Sequence, residues 1–210
     1  MKAAIFDMDG TLLDSMPMWG GLVREYVENK GIVCSAESLR DVESLALQPA
    51  AAYFAEHFLQ GETAQSVLED WSDYVVKGYA TAVVPKPGVM EYLERLKQKD
   101  VKMCVATLTD RYHAQPVLER LGMSQYFEFL LTVPEAGKDK RFPDIYLQAA
   151  ERMQLAPKQC VVFEDSFYAA RTAKSAGFVV YGVFDPHHKG GNEKLRQVSD
   201  RFVESFEQLL

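Results

Sequence analysis

Cysteine, positive charge in excess and long hydrophobic runs are what this 210-residue chain has little of. Its three cysteines, Cys34, Cys104 and Cys160, are odd in number, widely separated and without a C-x-x-C spacing. A disulfide framework or a zinc site is therefore not expected, and reduced structural thiols are. Lys and Arg total 23 against 30 Asp and Glu, a formal charge of −7 with no basic tract, which argues against nonspecific nucleic-acid binding. No apolar run is long enough to span a bilayer, and no signal-like opening with a basic region, apolar core and small-residue cleavage site is present. Cytoplasmic residence is the default expectation. A G-x-x-x-x-G-K-[ST] run is missing, which removes the P-loop nucleotide binders. The four histidines show no metal-ligand spacing, and adjacent His187 and His188 read as part of a solvated turn.

What is present is concentrated at one end. Ala3-Ala4-Ile5-Phe6 is an uninterrupted apolar run, the pattern of a strand buried on both faces. It stops at Asp7-Met8-Asp9-Gly10-Thr11. Side chains alternate along a strand, so Asp7 and Asp9 point the same way only while the backbone stays extended. Gly10 permits a tight turn whose released N–H groups can face an anion. Two carboxylates crowded at a strand end are costly unless a cation or a proton lies between them.

Helical periodicity then takes over up to about Thr81. Trp19, Leu22, Val23, Tyr26 and Val27 form one apolar face, with Ser15 as a possible cap and Pro17 in the first turn. Leu39, Val42 and Leu45 predict a second helix. Ala51, Ala52, Phe54, Ala55 and Phe58 predict a third after Pro49, and Val67, Leu68, Trp71, Tyr74 and Val75 a fourth. Aromatic residues at this spacing signify helix packing rather than a base-stacking surface. Strands alternating with helices resume at residue 82: Val101–Ala106 ending at Thr107, Phe127–Val133, Gln159–Phe163 ending at Glu164-Asp165-Ser166, and Phe178–Val183, with a tail expected to be helical near its end. Thr109 or Asp110 caps the helix after Thr107, and Pro143 opens another. The expected architecture is α/β: a Rossmann-like parallel sheet formed by residues 1–15 and 82–210, with an inserted all-helical domain over 16–81.

Asp7-Met8-Asp9-Gly10-Thr11 resembles the DxDGT motif of the haloacid dehalogenase superfamily, in the manner of its phosphatases with a helical cap. Thr107 resembles the family's second motif, a strand followed by Ser or Thr. Lys140-Arg141-Phe142-Pro143-Asp144 resembles its Lys-Pro-x-Pro-Asp segment with the first proline missing, and Lys138 lies close enough to compete with Lys140. Glu164-Asp165 resembles the family's acidic pair, although Glu-Asp-Ser is also a common helix N-cap. The resemblance implies Mg²⁺ as cofactor, with Asp7, Asp9, Glu164 and Asp165 as its ligand set, Glu164 either directly or through water. It implies Asp7 as nucleophile and Asp9 as proton donor and acceptor. Gly10, Thr107, Leu108 and Lys140 are then the groups that hold the phosphoryl.

The implied activity is hydrolysis of a small phosphomonoester through an aspartyl-phosphate, with neither nucleic acid nor membrane as partner and a monomer as the default state. A β-phosphoglucomutase-like mutase is similar in core, helical cap and acidic motifs but hands the phosphoryl group to a sugar rather than to water. A receiver-like domain that stores phosphate on an aspartate also combines acids, a hydroxyl and a lysine, but it carries its aspartate on a later strand and lacks the helical insertion. Which phosphomonoester is bound, and by which residues of the insertion, is not encoded in any of these motifs.

Overall fold

A computed structural model describes residues 1–35, 47–59, 61–188 and 190–210. The chain forms two compact units, one of Met1–Ser15 with Val84–Leu210 and one of Met16–Val83. The helix expected from Leu39, Val42 and Leu45 lies outside the described residues.

Among the described residues the first unit is built on eight strands: β1 (Ala3–Phe6), β2 (Leu13–Asp14), β3 (Val84–Pro85), β4 (Lys102–Thr107), β5 (Phe129–Thr132), β6 (Cys160–Glu164), β7 (Val179–Val183) and β8 (Arg201–Val203). Six of them make a sheet in the order β5-β4-β1-β6-β7-β8. Every neighbouring pair in it is parallel, so the sheet is of the doubly wound Rossmann-like kind. β1 lies at the centre, with Ala3 opposite Lys102 on one side and Cys160 on the other. A strand in that position has no solvent face, which is why all four of its residues are apolar and fully buried. The chain runs outward from β1 through β4 to β5, then returns to build β6, β7 and β8 on the other side. The direction reverses between β1 and β6, and ligands of such sheets bind beyond the strand ends at that point.

Ala3 and Ile5 face a core completed by Ile145, Tyr146 and Ala149 from the helix Asp144–Arg152 and by Ala170 and Ala173 from the helix Phe167–Ser175. Phe6 lies among aromatics: its ring stacks on Phe163 at 4.5 Å, and Phe163 in turn meets Phe206 at 5.7 Å and Tyr92 at 5.8 Å.

Three elements depart from the expectation, the first for a local reason. The strand expected over Phe127–Val133 is confined to Phe129–Thr132, because Val133 opens a short helix, Val133–Ala136, in which Glu135 accepts from the Thr132 N–H at 3.1 Å. The tail contains β8, three residues between the helix Gly191–Val198 and a 3₁₀ turn at Phe206–Leu209. β2 and β3 form an antiparallel pair of their own, Leu13 opposite Pro85 and Asp14 opposite Val84.

The second unit contains α1 (Met16–Lys30), α2 (Leu47–His57) and α3 (Ala64–Thr81). Pro49 falls inside α2 rather than before it, in the first turn where a missing N–H costs little. Thr63 and Ser66 close a reciprocal cap at the start of α3. Tyr26, Phe54 and Trp71, one from each helix, meet edge to face at 5.8–6.0 Å and are buried. The aromatic residues expected to pack do so in this triad. Gly78 packs closely on Met18: a Cβ there would lie 2.3 Å from the Met18 sulfur, so a larger residue would need that flexible side chain to move. Among the described residues no helix is long and apolar enough to cross a membrane.

Candidate active site

Asp7 follows β1 and keeps its register, since its N–H still donates to the Phe163 carbonyl at 3.0 Å. The chain then leaves the sheet. Gly10 has φ of +79°, a conformation that favours glycine, and the N–H groups of Leu12 and Leu13 both return to the Met8 carbonyl at 2.9 Å. Asp9 is therefore on a turn, and its carboxylate does not join that of Asp7. One oxygen accepts from Ser15 Oγ at 2.7 Å and the other from Thr109 Oγ1 at 2.7 Å. Thr109 is thus committed to Asp9 while Asp110 caps the following helix, Arg111–Arg120, by accepting from the His113 N–H.

The acidic centre forms where β1 and β6 end. Asp7, Glu164 and Asp165 are all buried, and each offers an oxygen within 4.8 Å of the others. Of the four acids expected to hold a cation, these three converge and Asp9 does not. Lys140 reaches them from the loop before the helix Asp144–Arg152; it is 1% exposed and its ammonium donates to Asp7 Oδ1 and, at 2.5 Å, to Glu164 Oε1. Lys138, its sequence competitor, is exposed and pairs with Asp144 at 3.0 Å. Tyr146 donates to Glu164 Oε1 at 2.8 Å, and the Ser166 N–H to Glu164 Oε2 at 3.3 Å. Ser166 occupies the N-cap position of the next helix without a side-chain cap bond, and the carboxylates of Glu164 and Asp165 lie in the acidic centre. Thr11 donates to Asp165 Oδ1 at 3.0 Å.

Thr107 ends β4, buried at 1% exposure, and its hydroxyl accepts from the Thr109 N–H at 3.1 Å. Leu108 beside it is 46% exposed. The turn expected at His187 and His188 is solvated only in part. His187 is exposed, but His188 Nε2 lies 3.2 Å from Asp165 Oδ2. The partnerships of Thr109, Tyr146 and His188 had no signal in the sequence, because each joins residues at least 18 positions apart and belongs to no motif.

The electrostatics follow from burial. Three carboxylates surround one ammonium, an excess of two negative charges if all ionise. Burial raises the Asp7 pKa above the ordinary range, opposed by Lys140, and burial together with Asp7 and Glu164 raises Asp165 far above it. Burial works against the charge on Lys140, yet Asp7 and Glu164 outweigh it and hold the ammonium above its ordinary value. Burial lowers His188. A cluster of hard oxygen donors with uncompensated negative charge fits a divalent cation, which would replace the missing positive charge.

The comparisons agree with this geometry. A family model described as haloacid dehalogenase-like hydrolase matches residues 1–177. A phosphorylated carbohydrates phosphatase of Thermotoga maritima is 30% identical over 184 residues, covering 87% of this chain and 85% of that protein. A fructose-1-phosphate phosphatase of Escherichia coli is 28% identical over 185 residues, covering 82% and 91%. Among solved structures, a Thermotoga maritima protein crystallised as a candidate β-phosphoglucomutase superimposes with a TM-score of 0.85 at 29% identity, over 100% of this chain and 97% of that one. With the acids of β1 and β6, the hydroxyl of β4 and the buried lysine gathered at one end of a parallel sheet, this chain belongs to the haloacid dehalogenase-like hydrolase family.

Proposed function

We propose that the chain is a Mg²⁺-dependent phosphatase that hydrolyses a small phosphomonoester, of the sugar-phosphate kind, through a phosphoryl group carried on Asp7. The observation that carries this is the buried Lys140 ammonium shared between Asp7 and Glu164 at the ends of β1 and β6. A carboxylate meant to attack a phosphate must stay ionised in a buried place, and a fixed cation beside it does that. The names of the relatives, phosphatases of phosphorylated carbohydrates and of fructose 1-phosphate, support the substrate class.

Asp7 attacks phosphorus in line with the ester oxygen; a bond forms from its carboxylate oxygen and the bond to the ester oxygen breaks. The electron pair leaves on the ester oxygen, which takes a proton from Asp9. Water then attacks phosphorus, gives its proton to Asp9 and releases phosphate with the Asp7 carboxylate restored. Ser15 and Thr109 suit both halves of this cycle, since a hydroxyl can rotate from donor to acceptor as Asp9 gains or loses its proton. Thr107, Lys140 and the backbone around Gly10 and Leu108 hold the phosphoryl oxygens. Asp7, Glu164 and Asp165 would hold the cation, whose charge offsets that of the phosphoryl oxygens. The helical unit, Met16–Val83, acts as the cap that selects the substrate, and the free thiols of Cys34, Cys104 and Cys160 suit a cytoplasmic enzyme.

A panel of sugar phosphates and other small phosphomonoesters, assayed for phosphate release with Mg²⁺ and with chelator, tests this. Release by the natural chain falls to background with chelator and drops by about 10³-fold or more in Asp7→Asn. Release that survives Asp7→Asn overturns the assignment of the nucleophile. The structural likeness to a candidate β-phosphoglucomutase favours a second reading, transfer to a sugar, and sugar-phosphate isomerisation without phosphate release would establish it.

A further inference from the structure

The loop after β7 contains more internal bonding than a surface turn requires. Phe184 continues the sheet, its N–H donating to the Val203 carbonyl at 2.9 Å, while its own carbonyl accepts from Lys86 Nζ at 2.8 Å. Asp185 is fully buried, lies 2.8 Å from the same lysine, and accepts from the His187 N–H at 2.8 Å. Asn192, at the start of the helix Gly191–Val198, donates to the carbonyls of Asp185 at 2.7 Å and His188 at 3.3 Å. The backbone on both sides of His188 is thereby tied to the sheet, to Lys86 and to a helix. What emerges from this clamp toward the acidic centre is one imidazole, with Nε2 3.2 Å from Asp165 Oδ2.

Beside an ionised Asp165, the form that holds a cation, an unprotonated ring nitrogen would set its lone pair against a carboxylate oxygen, so in that state Nε2 is the nitrogen that carries hydrogen. Asp165 then has a polar neighbour from each of two loops: Thr11 donates to Oδ1, and the His188 ring nitrogen lies 3.2 Å from Oδ2. A carboxylate with a polar neighbour at each oxygen has fewer orientations open to it before any cation arrives than one contacted on a single side. Partners of this kind, one shell outside the ligand atoms, commonly change metal affinity by 10–100-fold when removed.

We propose that His188 is a positioning residue that orients Asp165 for cation binding, and that the Lys86–Asp185–Asn192 clamp exists to hold it in place. The inference rests on the cation-holding role proposed for Asp165. Calorimetric titration of Mn²⁺ into the whole chain, alongside His188→Phe, His188→Gln and Asp165→Asn, tests both levels. His188→Phe keeps the ring but loses the donor, and weakens Mn²⁺ binding by about tenfold or more. His188→Gln, whose amide nitrogen takes the place of Nε2, binds within about threefold of the natural chain. Cation-free melting temperatures stay alike in both, and the Mg²⁺ concentration for half-maximal phosphate release rises in H188F with little change in kcat at saturation. Unchanged affinity in H188F, or equal losses in H188F and H188Q, overturns the role of His188. Should H188F not fold, His188→Asn, with a donor too short to reach Asp165, takes its place with the same expectation. Full Mn²⁺ affinity in Asp165→Asn removes the role assigned to Asp165 itself, a result separable from the fate of the histidine.

Discussion

Lys140 sets the charge balance of the site. It is a lysine 1% exposed, a position few lysines occupy, and it is tolerated because two carboxylates accept from it. Removing one partner of a buried charged group leaves the others unpaired, at a typical cost of about 3–5 kcal/mol. Lys140→Met, similar in volume and without charge, should lose stability of that order in urea unfolding without divalent ions. Part of the loss should return with excess Mg²⁺, because a ligand that binds only the folded state stabilises it by mass action. A loss that Mg²⁺ leaves untouched would mean that the acids do not share a cation. At this scale the sequence was legible in residue type and opaque in orientation. Asp7, Glu164 and Asp165 could be chosen because acids end apolar strands there and match the motifs of a known family. That Asp9 turns away depends on where β1 stops, at Phe6, and on the backbone of Gly10, neither of which the motif spells out. Lys138 and Lys140 look alike in a basic loop, and only burial tells them apart.

Among the elements, the helix Arg111–Arg120 and the junction of β5 with Val133–Ala136 are joined by a two-pronged contact. Arg111 donates through Nε to Glu135 Oε1 at 2.6 Å and through its terminal nitrogen to Oε2 at 2.9 Å, and it also reaches the Leu130 carbonyl. The Arg111 bond holds the Glu135 pKa below its ordinary value. A depressed carboxylate pKa means that the stabilisation is complete above the unfolded pKa, about 4.3, and is lost as pH falls through the folded one. Glu135→Gln should therefore be less stable than the natural chain at pH 7, by on the order of 1 kcal/mol or less since both side chains are over a third exposed. The difference between their urea midpoints should vanish at acid pH; a gap that persists there would assign the loss to the helix cap rather than to charge. The longer buried strands were readable as apolar runs, and helices as spacings of three and four. β2, β3 and β8 were not, since two or three residues such as Arg201-Phe202-Val203 cannot show alternation, and their pairing is decided by strands far off in the chain.

For the molecule as a whole, order along the chain was more informative than any single motif. An apolar strand, a helical interval, then repeated strand-helix units implied a parallel sheet with an insertion, and the central place of β1 explains why its residues are so uniformly apolar. The bonds that join separate parts of the chain, Thr109 to Asp9 and Tyr146 to Glu164, depend on the closed fold and had no signal in one sequence.

The small pair of β2 and β3 has one more consequence. Asp14 and Val84 are directly opposite partners in antiparallel strands, a few ångströms apart, and everything between Met16 and Val83 leaves and returns through that gap. Geometrically the gap is a hairpin end, which a turn of two or three residues containing Asn-Gly can close. Replacing Met16–Val83 by such a turn should yield a shortened protein that unfolds cooperatively by circular dichroism and still binds Mn²⁺, because Asp7, Glu164, Asp165 and Lys140 all belong to the part that remains. Loss of cooperative unfolding would show instead that the two parts are one folding unit. Under the proposed function the junction is an interchangeable socket: a different insert between Ser15 and Val84 would leave Asp7, Lys140, Glu164 and Asp165 on the part of the chain that already holds them, so that chemistry and recognition could be inherited separately.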